Sequence, residues 1–212
     1  MLINFLTINN FFNLQKSINI KILMLKKAIL ESVEAKNSLL FIEKDINVAI
    51  NIIYKKIKNG GKVLLCGNGG SAADAQHLVA EFLIRLRPHI NRNPIPALCL
   101  CMDTSTLTAC GNDYSFNEIF SRNLMALGSK KDVLIAISTS GRSSNIIKVL
   151  KTAKKMNIFS ISFLGNNGGL AKKCSDLSLI VKSNVTARIQ ESHIFLGHHI
   201  FESIENKLIK NL

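Results

Sequence analysis

Five short apolar runs that alternate with segments of helical character constrain the fold of this 212-residue chain more than any other feature. Each run is continuously apolar, which is typical of strands buried on both faces. The runs cover residues 62–67, 95–101, 132–138, 158–164 and 177–182. Helical segments are predicted near 71–86, 104–127, 143–156 and 168–174, and a long amphipathic helix over about 187–210. This alternation predicts an α/β domain built on a parallel sheet with helices on both faces.

The region before the first predicted strand is different in character. Residues from about 25 to 58 have helical spacing and contain neither glycine nor proline, which predicts two helices, and Asn59-Gly60-Gly61 ends them. Residues 1–23 contain neither a continuous apolar region nor a small-residue cleavage site, so we expect no signal peptide. They form a leader of unknown role, or natural translation starts at Met24. We predict one domain over 24–212, with a helical arm and a core over about 60–210.

Composition excludes several classes of protein. Hydrophobic residues make up 47% of the chain, which supports a folded core, and no apolar run has the roughly 18–20 residues that a membrane span needs. The net charge of +13 is spread along the chain without a block of like charges, so we expect no specific nucleic-acid partner. Five cysteines, an odd number without a C-x-x-C pair, predict free thiols and a cytoplasmic location.

A glycine-rich loop follows the first strand. It contains Asn68, Gly69, Gly70 and Ser71, and a predicted helix begins directly after it. In open α/β sheets ligands bind beyond the carboxyl ends of strands, where a helix N-terminus favours an anion. A dinucleotide site is the obvious alternative, but Ala72 stands where the fingerprint needs its last glycine. No lysine follows the glycines, which excludes a Walker loop.

A second polar loop, which we call the serine loop, covers residues 138–144 between the third strand and the next helix. Hydroxyl and backbone N–H groups in such a loop can bind a phosphate without a dedicated cation. A capped helix turn would explain one serine. Four serines and a threonine around Gly141 exceed that need, so we favour a phosphate site.

Two pairs of polar residues on helices are candidate metal ligands or acid–base groups. His77 and Glu81 are four residues apart on the helix after the glycine loop, and therefore share a face. Gln190 and His198 lie on the last predicted helix. Imidazole and carboxylate groups suit both Zn²⁺ and proton transfer, but each residue alone would more often be a surface or core residue.

Four sequence segments resemble those of the sugar isomerase (SIS) family and, within it, those of the phosphoheptose isomerases. They are CGNGGSAADAQHLVAEF (66–82), CGNDYSFNEIFSR (110–122), AISTSGRSSNIIK (136–148) and ARIQESHIFLGH (187–198). The resemblance implies a doubly wound, five-stranded parallel sheet and a homotetramer with active sites at its interfaces. One departure is Arg142, where asparagine is common in the family.

The resemblance also implies roles for particular residues. The implied zinc ligands are His77, Glu81, Gln190 and His198, and Glu81 and His198 also form the implied acid–base pair. Residues implied to bind the sugar phosphate are Asn68, Gly69, Gly70, Ser71, Glu81, Asn112, Asp113, Ser138, Thr139, Ser140, Ser143 and Gln190. The implied reaction converts sedoheptulose 7-phosphate to D-glycero-D-manno-heptose 7-phosphate through an enediol, the first step toward ADP-heptose for lipopolysaccharide core or other heptosylated glycans.

Two alternatives from other functional classes remain open at this point. Relatives that bind the replication initiator protein share the fold and the serine loop, which makes a non-catalytic adaptor the main alternative. Those relatives generally lack the acidic residue at position 81 and the histidine at position 198. Because both are present here, the resemblance favours the enzyme. A sugar-phosphate sensor coupled to DNA is a weaker alternative, since no DNA-binding module is visible in the sequence.

Overall fold

A five-stranded parallel sheet forms the centre of the molecule in the computed structural model, which describes residues 23–101 and 103–209. The strand order is β2-β1-β3-β4-β5, and every neighbouring pair is parallel. The strands are β1 (Val63–Gly67), β2 (Ala97–Cys99), β3 (Val133–Ser138), β4 (Phe159–Gly165) and β5 (Leu177–Val181). Every residue of β1 and β3 is buried, as the continuous apolar runs predicted. The predicted α/β fold is therefore confirmed.

Seven α-helices flank this sheet in the described residues. They are α1 (23–37), α2 (Glu43–Lys58), α3 (Gly70–Leu83), α4 (Thr104–Asp113), α5 (Ile119–Leu127), α6 (Ser144–Lys155) and α7 (Thr186–Ile209). The arm consists of α1 and α2, joined by a 3₁₀ turn over Ser38–Ile42. The interpretation of residues 1–22 as a leader lies outside the described part of the chain. No described helix is long and apolar enough to cross a membrane.

The structure differs from the sequence prediction in two helical segments. The predicted helix over 104–127 is two helices, because Ser115 is in extended conformation (φ −168°, ψ 160°) and interrupts the helical path. The segment 168–174 contains only a 3₁₀ turn, Ala171–Lys173. There Gly168 and Gly169 have φ values of +83° and +52°, which a right-handed helix cannot include.

The cysteines are free, as predicted. Four of them are buried and Cys174 is half-buried. Burial raises the pKa of Cys66 well above the usual thiol value, so this residue behaves as a small apolar side chain.

Topology brings the two polar loops together. β1 and β3 are adjacent central strands, and their carboxyl ends lead into the glycine loop and the serine loop respectively. Helices α3 and α6 begin directly after these loops. Two helix N-termini therefore face the same edge of the sheet, where ligands of open α/β folds bind.

Candidate active site

The glycine loop is a tight connection between β1 and α3. Ser71 donates its backbone N–H to the carbonyl of Asn68 at 3.0 Å, and Ala72 donates to Gly69 at 3.0 Å. Gly69 has a φ of +55°, which favours glycine. A Cβ at Gly67 would lie 2.4 Å from the carbonyl oxygen of Ser71, so only glycine allows the strand to approach the helix this closely.

The serine loop is held by its own hydroxyl groups and leaves one of them available. Ser138 accepts a hydrogen bond from the N–H of Gly141 at 3.1 Å, and Ser140 accepts one from the N–H of Arg142 at 3.2 Å. Ser143 occupies the N-cap position of α6, yet among the described residues its hydroxyl caps no backbone N–H. That hydroxyl and the first N–H groups of α6 can therefore bind an anion.

Asn145 joins the two loops and was missed by the sequence analysis. The side chains of Asn68 and Asn145 exchange two hydrogen bonds, of 2.9 and 2.8 Å. Asn145 is 2% exposed, so this amide pair fixes the spacing between the loops. The only available signal was a polar residue in the first turn of the helix after the serine loop, and solvent-facing residues give the same signal.

Three of the four proposed metal ligands converge. Nε2 of His77 lies 2.9 Å from Nε2 of His198 and 3.3 Å from Oε1 of Glu81. One ligand atom from each residue lies within 4.8 Å of the other two. Two imidazole nitrogens and a carboxylate oxygen form a donor set that suits a divalent metal ion such as zinc. The side-chain chemistry of this triad thus fits a metal.

Helices α3 and α7 run in the same direction and pack side by side, and this packing positions the triad. The ring of Phe82 stacks on Phe201, with centroids 3.6 Å apart. Leu78 packs against Gly197, where a Cβ would lie 2.5 Å from both Cδ atoms of the leucine. The missing side chain at Gly197 therefore allows the close approach that brings His198 next to α3.

Burial and neighbouring charges shift the pKa of His198, a member of the triad, and of Asp74, one turn before His77. Burial, together with the neighbouring His77, lowers the pKa of His198, and Glu81 opposes this effect. The lowered pKa favours a neutral imidazole with a free lone pair at pH 7. Burial raises the pKa of Asp74, against the effect of His77, and Oδ2 of Asp74 has no hydrogen-bond partner within the described chain. The sequence analysis missed Asp74 because an acidic residue in an amphipathic helix is usually solvated.

Gln190 lies apart from the other three proposed ligands. Its amide is next to Gly70, where a Cβ would lie 2.4 Å from Nε2 of Gln190. Gly70 is seven residues before His77 on α3, and Gln190 is eight residues before His198 on α7. Those separations correspond to about 10 to 12 Å along a helix. Within one chain, Gln190 therefore contacts the glycine loop rather than the triad.

Asn112 and Asp113 lie at the C-terminal end of α4. Both are exposed, and the amide of Asn112 donates to Asp113 at 2.9 Å. Asp113 lines a cleft of about 620 Å³ between α4 and α5. Arg122 lies in the same cleft, stacked over the ring of Tyr114 at 3.8 Å.

Comparison with known proteins identifies the family. The sequence profile of the SIS domain matches residues 24–165. The phosphoheptose isomerase of Clostridium acetobutylicum is 47% identical over 184 residues, which cover 85% of this chain and 92% of that protein. That of Paramagnetospirillum magneticum is 54% identical over 146 residues, covering 69% of this chain and 75% of that protein.

The chain belongs to the phosphoheptose isomerase family.

Solved structures of the family agree with this assignment. The phosphoheptose isomerase from Francisella tularensis superposes with a TM-score of 0.81 at 34% identity, covering 90% of this chain and 98% of that one. The enzyme from Neisseria gonorrhoeae superposes with a TM-score of 0.80 at 39% identity, covering 86% and 97%. The alternative of a replication adaptor finds no support in these relatives.

Arg142 of the serine loop is exposed. It lines a cleft with Lys172 and Lys173. Gly141 before it has a φ of +61°, and a Cβ there would lie 2.0 Å from the carbonyl oxygen of Gly168. The backbone that presents Arg142 is therefore restricted to glycine at position 141.

Proposed function

We propose that this chain interconverts sedoheptulose 7-phosphate and D-glycero-D-manno-heptose 7-phosphate. The observation that carries the proposal is the convergence of His77, Glu81 and His198 on α3 and α7, in a chain whose relatives are phosphoheptose isomerases. The reaction moves a hydrogen between C1 and C2 and leaves the oxidation state of the whole molecule unchanged. It needs a base at the carbons, a proton donor and acceptor at the oxygens, and a fixed phosphate.

Glu81 is the candidate base. Its carboxylate is half-buried, with Oε1 turned toward His77. We assign to it removal of the proton from C1 of the ketose, which gives an enediol, and return of a proton at C2, which gives the aldose. Because the reaction runs in both directions, the same carboxyl group serves either carbon.

His198 is the candidate partner for the oxygens. Its lowered pKa keeps the imidazole neutral near pH 7, and a neutral imidazole can accept a proton from one hydroxyl and donate to the neighbouring oxygen. The assignments of Glu81 and His198 can be exchanged without changing the overall balance of protons.

We further propose that His77, Glu81 and His198 hold zinc. Bound zinc would supply Lewis acidity toward the sugar carbonyl. Gln190 is the fourth proposed ligand. In a homotetramer, which we propose as the functional assembly, Gln190 from a neighbouring subunit would complete this donor set.

The phosphate of the sugar is assigned to the serine loop. This loop leads into the N-terminus of α6, where backbone N–H groups and the helix dipole favour an anion. The residues assigned to the phosphate are Ser138, Thr139, Ser140 and Ser143. We assign binding of the sugar to the glycine loop, through Asn68, Gly69, Gly70 and Ser71. Asn112 and Asp113 are assigned to a part of the sugar site that is completed at a subunit interface. The product would supply heptose for lipopolysaccharide or another glycan in a bacterial cytoplasm.

The test is turnover of sedoheptulose 7-phosphate followed by NMR, with the aldose anomeric signal as the readout. We expect Glu81→Gln and His198→Asn each to lower kcat about 10²- to 10⁴-fold while circular dichroism shows a folded chain. His199→Asn, one residue further along α7 and exposed, is the matched control and should keep the wild-type kcat.

Two results would contradict the proposal. A wild-type protein without turnover would bring the adaptor back into consideration. A near-normal kcat in Glu81→Gln would remove the carboxylate from the mechanism.

A further inference from the structure

A buried ionic cluster joins α7 to the connection between α3 and β2, about two helical turns beyond the triad. Glu205 of α7 is 1% exposed and binds two arginines of this connection. Arg87 donates from Nε to Oε2 of Glu205 at 2.7 Å, and Arg92 donates from Nε to Oε1 at 2.6 Å. Burying ionised groups such as Arg92 and Glu205 is costly unless their hydrogen bonds are satisfied.

The two arginines differ in what else they bind. The remaining donors of Arg87 go to Glu202 and Asn206, both on α7. Those of Arg92 go to two backbone carbonyls at the end of α3, Glu81 at 2.7 Å and Phe82 at 2.9 Å, and to the neighbouring carbonyl of Asn93 at 3.1 Å. The first two carbonyls belong to the last turn of α3, where the helix offers them no partner of its own. Arg92 therefore connects α3 to α7, whereas Arg87 connects the loop to α7 alone.

This connection acts on the helices that carry the triad. Arg92 binds the backbone of Glu81 itself. Glu205 is seven residues after His198, which places both on one face of α7 about two turns apart. The side chain of Arg92 is 4% exposed, and its planar guanidinium reaches the carboxylate of Glu205 and both carbonyls of α3 together. A lysine has one nitrogen and cannot span these acceptors in the same way.

We propose that Arg92, through Glu205, is a positioning residue that sets the spacing of α3 and α7 at the metal centre. The inference rests on the proposed function of the triad as a zinc site. Without the guanidinium of Arg92, the end of α3 that carries Glu81 can move relative to His198. A shift of the ligands by a fraction of an ångström weakens metal binding before it unfolds the chain.

The test is the affinity of the apoprotein for Zn²⁺, measured by competition with a chromogenic chelator, at a temperature where circular dichroism shows every variant folded. We expect Arg92→Lys to lower the affinity about tenfold or more, the range typical of partners that orient metal ligands. Glu205→Gln should do the same, because it removes the other end of the connection. In turnover assays at saturating zinc, kcat should fall more than KM rises.

Two control variants separate positioning from general stability. Arg87→Lys alters the same carboxylate but no contact with α3, and should keep the wild-type zinc affinity. Asp132→Asn breaks a buried pair with Lys62 (2.9 Å, Asp132 2% exposed) at the amino ends of β3 and β1, a pair that involves neither α3 nor α7. It should lower the melting temperature without changing zinc affinity by more than about twofold.

Several results would overturn the inference. Wild-type zinc affinity in folded Arg92→Lys would do so, as would an equal loss in Arg87→Lys or Asp132→Asn. Failure of both Arg92→Lys and Glu205→Gln to fold would show that the cluster holds the fold as a whole. A wild-type protein that isomerises the sugar without binding zinc would reject this inference and leave the proposed reaction intact.

Discussion

Single buried polar side chains in this molecule differ sharply in how well they are paired. The carboxylate of Asp132 accepts hydrogen bonds from the backbone of Lys62 and Ser129 and from the ammonium of Lys62. His193 on α7 is fully buried near Phe163, and neither ring nitrogen has a partner among residues 23–101 and 103–209. Burial lowers the pKa of His193 to about 4. Two deeply buried side chains therefore differ in whether hydrogen bonds compensate for their burial.

We predict that His193→Leu reduces the acid sensitivity of folding. The folded-state pKa of about 4 is below the unfolded value near 6.5, so the unfolded chain binds the extra proton and stability falls as pH falls from 6.5 to 4. Between pH 7 and pH 5 this effect amounts to about 2 kcal/mol. Urea unfolding at both pH values should show a smaller difference in His193→Leu by that amount. His89→Gln, on an exposed loop, should keep the wild-type difference; equal differences in all three proteins would contradict the prediction.

Packing between elements, rather than any one side chain, brings the triad together. Helices α3 and α7 lie side by side in the same direction, with Gly197 against Leu78 and Phe82 against Phe201. The missing side chain at Gly197 keeps the two helices close at the level of His198. The site therefore depends on the distance between two helix axes.

We predict that Gly197→Ala destabilises the protein by about 1–3 kcal/mol and lowers turnover as well. The new Cβ would lie 2.5 Å from both Cδ atoms of the fully buried Leu78, so either this side chain or the helix axis must shift. Adding Leu78→Ala should restore part of the turnover, which a double-mutant cycle measures as coupling. Gly111→Ala on α4 is the control, because a Cβ there meets no atom within 4 Å in the described structure. Its stability should be unchanged or raised by up to about 1 kcal/mol; additive effects at Gly197 and Leu78 would refute the packing argument.

At the same scale, the sequence predicted the elements better than their contacts. Continuous apolar runs identified all five strands, and the i, i+4 spacing placed His77 and Glu81 on one helix face. The contact between His77 and His198 joins residues that are 121 positions apart in the sequence. It depends on Gly197, which no local sequence pattern marks. Asn145 and Asp74 were missed because polar residues on helices usually face solvent, and burial decides otherwise only after α6 and α3 pack on the sheet.

At the scale of the whole molecule, the described part of the chain leaves an apolar surface exposed. Leu25, Ile29 and Val33 form an i, i+4 row on α1 and are 65%, 53% and 50% exposed, and Phe41 is 80% exposed. Arg188 of α7 holds this helix in place by donating to the carbonyl of Ala28 at 2.6 Å. A contiguous apolar patch of this kind marks an interaction surface. Combined with the distance of Gln190 from the triad, it favours an assembly in which subunits complete each other's sites.

We therefore predict that Ile29→Glu with Val33→Glu dissociates the assembly and removes turnover together. Two buried carboxylates at an apolar interface carry a large desolvation cost, while in a free subunit both positions face water. Sedimentation velocity at micromolar concentration should show the wild type as a tetramer and the double variant as a smaller species with unchanged circular dichroism. Leu170→Glu, similarly exposed at 59% but directly before the 3₁₀ turn Ala171–Lys173, should leave the mass unchanged. A monomeric wild type, or a dissociated double variant with full turnover, would show that one chain contains the complete site.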